Sequence, residues 1–169
     1  MSRAFVKEPD GADAGEDSPE RPQSPHPQYV TPRGLRLLHE ELQRLRTQRS
    51  ELLARGEDLA AAAELAHTER EARFIERCIQ AAIVVDAASQ PHGDVRFGAS
   101  VDLGDEGGRT YHFTIVGEQE ACVPRGLISW VSPLARSLIG RRAGDTILWE
   151  RPAGNVELEV IRVSYPRWD

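Results

Sequence analysis

Leucines at 35, 38, 42 and 45 follow one another at spacings of three, four and three. A chain that repeats apolar residues in this way predicts a helix with one stripe that another element must cover. Thr31-Pro32, just before the first leucine, offers a capping hydroxyl and a proline at the first helical position, where no N–H is needed. The seam resumes at Leu52 and Leu53, and a second seam runs through Leu65, Thr68, Ala72, Ile75, Ile79 and Ala82. Between them stands Arg55-Gly56-Glu57-Asp58, whose glycine permits the irregular backbone of a reversal, while Ala60 to Ala63 allow close helix approach near the tip. Residues 29–90 therefore predict a coiled-coil helical hairpin in which each helix covers the other's stripe. Glu69, Arg70, Glu71, Arg73, Glu76 and Arg77 fall on outward positions as a mixed, solvated face.

After Pro91-His92-Gly93-Asp94 the period changes to two. Tyr111, Phe113 and Ile115 alternate with His112 and Thr114, and Val156, Leu158 and Val160 alternate with Glu157 and Glu159. Val101–Leu103, Leu127–Val131 and Thr146–Trp149 are further candidate strands, separated by glycine-containing turns. Among them, Ser132 can cap a short helix that begins with Pro133 and stops at Gly140. The economical fold for residues 91–169 is a small antiparallel sheet packed by that helix, which makes the chain α+β.

Residues 1–28 hold Pro9, Pro19, Pro22, Pro25 and Pro27 among Asp, Glu, Ser and Gly, with almost nothing to bury, and are expected to be a disordered leader. The start of the chain turns acidic before a signal-peptide core could form, and no apolar run is long enough to span a membrane, so the cytoplasm is the expected compartment. Cys78 and Cys122 sit alone in apolar surroundings; small buried residues are expected rather than a disulfide or a zinc site. A net charge of −6 speaks against wholesale binding to nucleic acid and favours a protein partner. His26, His39, His67, His92 and His112 are scattered, and no triad or glycine-rich nucleotide loop is present.

Four stretches carry a resemblance to a known family. They are Tyr29-Val30-Thr31-Pro32-Arg33-Gly34-Leu35, Arg96-Phe97-Gly98-Ala99, Ile115-Val116-Gly117-Glu118-Gln119-Glu120-Ala121 and Leu127-Ile128-Ser129-Trp130-Val131-Ser132-Pro133-Leu134-Ala135-Arg136. In this order they resemble the Gre-type (GreA/GreB) bacterial transcription elongation factors over about residues 29–166. The resemblance implies an FKBP-like carboxy-terminal domain that grips the rim of the RNA polymerase secondary channel while the helical arm enters the channel. The gripping segment then corresponds to Val131, Ser132 and Pro133, with Trp130 and Arg136 beside it. Nucleic acid would be met only through the transcription complex, and the factor itself is expected to be a monomer and an accessory rather than an enzyme.

Transcript-cleaving members carry Gly-Asp-x-x-Glu-Asn-Ala-Glu at the arm's tip, whose carboxylates help hold a magnesium ion in the polymerase active site. Here the matching stretch is Glu57-Asp58-Leu59-Ala60-Ala61-Ala62-Ala63-Glu64. Asp58 and Glu64 match, whereas alanines 61 and 62 replace the central glutamate and asparagine. Asp58, with Glu57, retains at most a weak hold on the shared ion. Each strand of the arm is also about seven residues shorter than in cleaving members, which at about 1.5 Å per residue withdraws the tip by about 10 Å. The expected function is a polymerase-binding regulator of elongation without efficient transcript cleavage. The alternatives are an authentic cleavage factor that relies on Glu57, Asp58 and Glu64, an anti-elongation or nucleoside-diphosphate-kinase-regulator type of the same superfamily, and an FKBP-like prolyl isomerase or peptide-binding chaperone. The last would need Phe97, Tyr111, Phe113, Trp130, Trp149 and Tyr165 to line a pocket rather than fill the core.

Overall fold

The computed structural model describes residues 20–55 and 59–166. Helix α1 spans Pro32–Ala54 and helix α2 spans Leu59–Gln80. The first begins as the sequence predicts, with the Thr31 hydroxyl accepting from the Gly34 N–H at 2.8 Å and Pro32 at the first helical position. Leu38, Leu42, Leu45, Phe74, Ile75 and Cys78 form the buried seam between the helices, with Leu35, Ala72 and Ile79 packed against it. Phe74 and Cys78 were not among the expected seam residues; they lie one position before Ile75 and Ile79 and carry the stripe toward the base of the arm. Leu53, by contrast, is half exposed. Across the seam, Arg46 pairs with Glu76 at 3.0 Å and Arg49 with Glu69 at 2.7 Å. The outward charges thus link the helices, although exposed pairs of this kind contribute little each. The predicted reversal at Gly56, Glu57 and Asp58 lies outside the described residues.

The second helix stops at Gln80, short of the expected Ala82. There the β-branched run Ile83-Val84-Val85 leaves the helix, and β2 (Ala82–Val84) pairs in parallel with β1 (Gln28–Val30) at the base of the arm. Residues 20–27, assigned to the leader on composition, lie along α2, with Glu20 against Arg73 and Arg77. Residues 1–19 lie outside the described residues.

Beyond the arm, five strands form one sheet in the order β5-β4-β3-β7-β6, comprising β3 (Ser100–Asp105), β4 (Thr110–Val116), β5 (Leu127–Ser129), β6 (Thr146–Trp149) and β7 (Val156–Ser164). The expectation of a wholly antiparallel sheet needs one correction. β3, β4, β6 and β7 pair antiparallel, but β5 runs parallel to β4. Residues 117–126 carry the chain back to the middle of β4, where Leu127 pairs with Thr114, instead of turning a hairpin, and Gly126 closes the return with φ +71°. A Cβ on Gly126 would stand 2.7 Å from the His112 carbonyl oxygen, so only glycine fits without a shift. A bulge between Asp102 and Leu103 shifts the β3–β7 register and leaves Ile161 exposed between two otherwise alternating stretches.

The inward residues Val101, Leu103, Ile115, Ile128, Ile147, Leu158 and Val160 make the sheet core. Helix α3 (Pro133–Leu138) covers part of it with Leu134, Ala135 and Leu138. Among the described residues no helix is long and apolar enough to cross a membrane. Leu103→Ala, at a fully buried position, is expected to lower the unfolding free energy by about 2–5 kcal/mol, whereas Leu148→Ala on the exposed side of β6 should change it by no more than about 0.5 kcal/mol. Urea titration of both variants checks the contrast.

Candidate docking rim and arm tip

The short helix α3 depends on its first two residues. Ser132 accepts from the Ala135 N–H at 3.2 Å, and Pro133 occupies the first helical position. Gly140, with φ +84°, ends the segment as its sequence position predicts. Because Leu134, Ala135 and Leu138 face the core, Pro133 and Arg136 are left on the outside, with Val131 and Ser132 half-buried beside them. Val131 is steadied by a 3.3 Å hydrogen bond from its N–H to the Ser129 hydroxyl. The structure therefore brings Val131, Ser132, Pro133 and Arg136 together as one rim.

Trp130 stands behind this rim. Tyr29 meets it edge-on with centroids 5.0 Å apart, and His26 does so at 6.0 Å. The indole N–H is buried without a hydrogen-bond partner among the described residues. Such an unmade hydrogen bond typically costs about 1–3 kcal/mol. Of the other aromatics, Tyr111 and Phe113 are stacked and both meet Trp149 edge-on, all three packing with Tyr165 against the sheet core, while Phe97 packs against Tyr29.

The rim is tied to the arm by a joint that sequence reasoning missed. Glu120, buried at 7% exposure, accepts from the Thr31 hydroxyl at 2.7 Å and faces the Arg33 guanidinium at 3.4 Å. Thr31 thus caps α1 and holds the sheet domain with the same oxygen. Close approach is possible only because two neighbours lack side chains. A Cβ on Gly34 would come within 2.6 Å of the Glu120 carboxylate, and one on Gly117 within 2.5 Å of the Tyr29 carbonyl oxygen. Burial raises the Glu120 carboxyl above the ordinary 4.5, against the opposing pull of the Thr31 hydrogen bond and the nearby arginines. The only sequence signal was that Glu120 lies inside the stretch Ile115–Ala121, with nothing local to separate it from Glu118.

At the tip, Glu57 and Asp58 lie outside the described residues. Glu64 is placed, and it is engaged locally: one oxygen accepts from the Gln48 amide at 3.1 Å and the other faces Arg55 at 3.7 Å. Ala61 is buried at 2% exposure, and Ala62 is exposed. No group of three or more His, Cys, Asp or Glu side chains with metal-binding geometry occurs among the described residues.

The cysteines divide. Cys78 is buried as expected, and burial pushes its thiol up, but Cys122 is only half-buried because it precedes the exposed turn Val123–Arg125. His112 shares Asp102 with Arg162, at 2.6 and 2.7 Å, on the sheet's outer face. The His112 hydrogen bond is the leading cause of a lowered Asp102 carboxyl, and the triplet is exposed.

A sequence model described as "Transcription elongation factor, GreA/GreB, C-term" matches residues 90–165, a span that contains the rim and the Glu120 half of the joint. The GreA of Alkalilimnicola ehrlichii is 38% identical over 152 residues, covering 80% of this chain and 96% of that protein. The GreB of Neisseria meningitidis serogroup B is 34% identical over 156 residues, covering 83% and 96%. The chain belongs to the GreA/GreB family. A solved structure, the GreA factor homolog 1 (Gfh1) of Thermus thermophilus, is similar at 25% identity, covers 82% of this chain and 99% of its own, and superposes with a TM-score of 0.40. The match to the A. ehrlichii GreA runs over 152 positions yet takes up only 80% of a 169-residue chain. This Gre-family chain therefore lacks residues at some of the aligned positions.

The joint gives a prediction with a definite sign. A carboxyl whose folded pKa is raised binds its proton more readily in the folded state, so its contribution favours folding below the unfolded value and is lost as pH rises through the folded one. Glu120→Gln keeps an acceptor for Thr31 and removes the titration. The wild type should lose stability relative to Glu120→Gln as pH rises from about 4 to about 7, measured by urea midpoints at the two ends. A constant difference between the two proteins would refute it.

Proposed function

We propose that this Gre-family elongation factor docks on RNA polymerase through the rim formed by Val131, Ser132, Pro133 and Arg136, with Trp130 behind it, directs its helical arm into the secondary channel, and regulates elongation without efficient transcript cleavage. Docking is supported by the family match across residues 90–165 together with the way α3 buries one face and presents the other. A short apolar edge bordered by an arginine suits a protein partner, since arginine and exposed apolar groups are favoured at interface centres.

The observation that carries the loss of cleavage is the start of α2. Leu59 is followed by four alanines, and the first carboxylate of that helix, Glu64, is already engaged by Gln48 and Arg55. These described residues do not fit a magnesium ion shared with polymerase, which needs acidic oxygen ligands held in near-ideal geometry. The sequence comparison with the cleaving members gives a shortened arm, and a tip set back by whole helical turns cannot place a carboxylate at a fixed reaction centre. The relatives are named as elongation factors, which accords with an accessory role in which any RNA cutting belongs to the polymerase.

Backtracked elongation complexes supplied with this protein should release no more cleaved RNA than polymerase alone. Ala61→Glu with Ala62→Asn should restore little, because the tip would remain set back. Pro133→Ala should weaken binding to core polymerase without unfolding the sheet domain. Cleavage comparable to that of a GreA relative would overturn the second half of the proposal, and absence of polymerase binding would overturn the first.

A further inference from the structure

The resemblance to the family begins at Tyr29, yet the residues just before it are laid along the arm and end on the rim. The Glu20 carboxylate accepts from Arg73 at 3.0 Å and from Arg77 at 2.7 Å, and Arg77 also donates to the Arg21 carbonyl at 3.3 Å. The Arg21 guanidinium stands over the Phe74 ring, 4.2 Å from its centroid, and pairs with Glu71 at 3.7 Å. At the other end, His26 sits edge-on to Trp130, and its Nε2 lies 3.4 Å from the Arg136 guanidinium. Guanidinium has donors only, so this imidazole nitrogen accepts, and the contact belongs to the neutral ring.

These contacts have the character of a releasable cover. The ion pairs are exposed, and such pairs are individually weak. Pro22, Pro25 and Pro27 withhold N–H groups, so no strand ladder forms before Gln28. The cover is also chemically incomplete. His26 lies against Trp130 without giving its buried indole N–H an acceptor, which a partner presenting a carbonyl or carboxylate would supply.

We infer that residues 20–27 form an intramolecular strap that occupies Trp130 and Arg136 and neutralises Arg73 and Arg77, so that it competes with RNA polymerase for the rim and must lift before the factor docks. This inference rests on the docking reading given above. A strap that is closed most of the time lowers the apparent affinity by the fraction of molecules in which the rim is open.

The test uses the full-length protein carrying Glu20→Gln and His26→Ala together. Glu106→Gln, which makes the same charge change in the exposed turn after β3, serves as the control. Binding to core RNA polymerase is measured beside hydrogen exchange of the free proteins. The double variant should bind about 3- to 10-fold more tightly than wild type. It should exchange faster at residues 20–27 and at the rim, with unchanged protection in the arm and sheet cores, and the control should match wild type. Equal or weaker binding by the double variant, with wild type binding, overturns the strap and leaves the docking reading standing. If neither protein binds, the docking reading falls and the competition falls with it.

Discussion

A helix that begins at a domain boundary brings unpaired N–H groups to a place where water is scarce, and the structure depends on how those groups are met at Thr31. The hydroxyl accepts from the Gly34 N–H and donates to Glu120, so one side chain ends the helix and fastens it to the sheet domain. Charge reinforces the arrangement: a carboxylate at a helix N-terminus faces the positive end of the helix dipole, and Arg33 lies on the same carboxylate. Burial works against it by raising the cost of the charged form. Gly34 and Gly117 let the two backbones approach, because each would put a Cβ against the opposing domain. The direction in which the arm leaves the sheet follows from this small set of atoms.

The residues of the proposed docking rim are gathered near that joint. The parallel strand β5 leads directly to Trp130, whose backbone N–H donates to the Val116 carbonyl at the end of β4, and Trp130 leads to the Ser132 cap. Tyr29, two residues before the cap of α1, packs on the same indole. Arm base and rim therefore share contacts. The 23 residues of α1 then make a rod of about 35 Å. Such a rod converts a fixed orientation at the base into a fixed position at the tip.

What could be read in advance was what repeats or caps locally. The leucine spacing from Leu35 to Leu45 identified the first helix, and Thr31-Pro32 and Ser132-Pro133 marked their helix starts because capping needs only neighbouring residues. The alternation at Tyr111–Ile115 and Val156–Val160 placed two central strands for the same reason. Features made by distant residues stayed hidden. The pairing of β1 with β2 joins Gln28 to Ala82, the parallel β5 depends on where a long return lands, and the Thr31–Glu120 bond spans most of the chain. Composition misplaced residues 20–27, since a proline-rich acidic stretch reads as leader whether or not Arg73 and Arg77 stand ready to receive Glu20. Of the site, the rim was legible through resemblance to the family, while the half-burial of Trp130 between His26 and Tyr29 required the fold.

In the proposed function chemistry and docking part company, and the rod is what would let them. Replacing tip residues by alanine favours the helix, since alanine has the strongest helix propensity, and it leaves the base untouched, because no contact of the joint reaches Ala61 or Ala62. Removing length in matched increments from both strands keeps the seam in register, whereas removing it from one strand alone would put Leu45 opposite the wrong partners. A change at Thr31, Gly34 or Glu120 would reach further than one at the tip, since one substitution there would alter both the cap of α1 and the packing of the arm on the sheet domain. The proposed strap fits the same division: it acts at the base, on Trp130 and Arg136, where a few weak contacts can govern whether the whole rod is delivered.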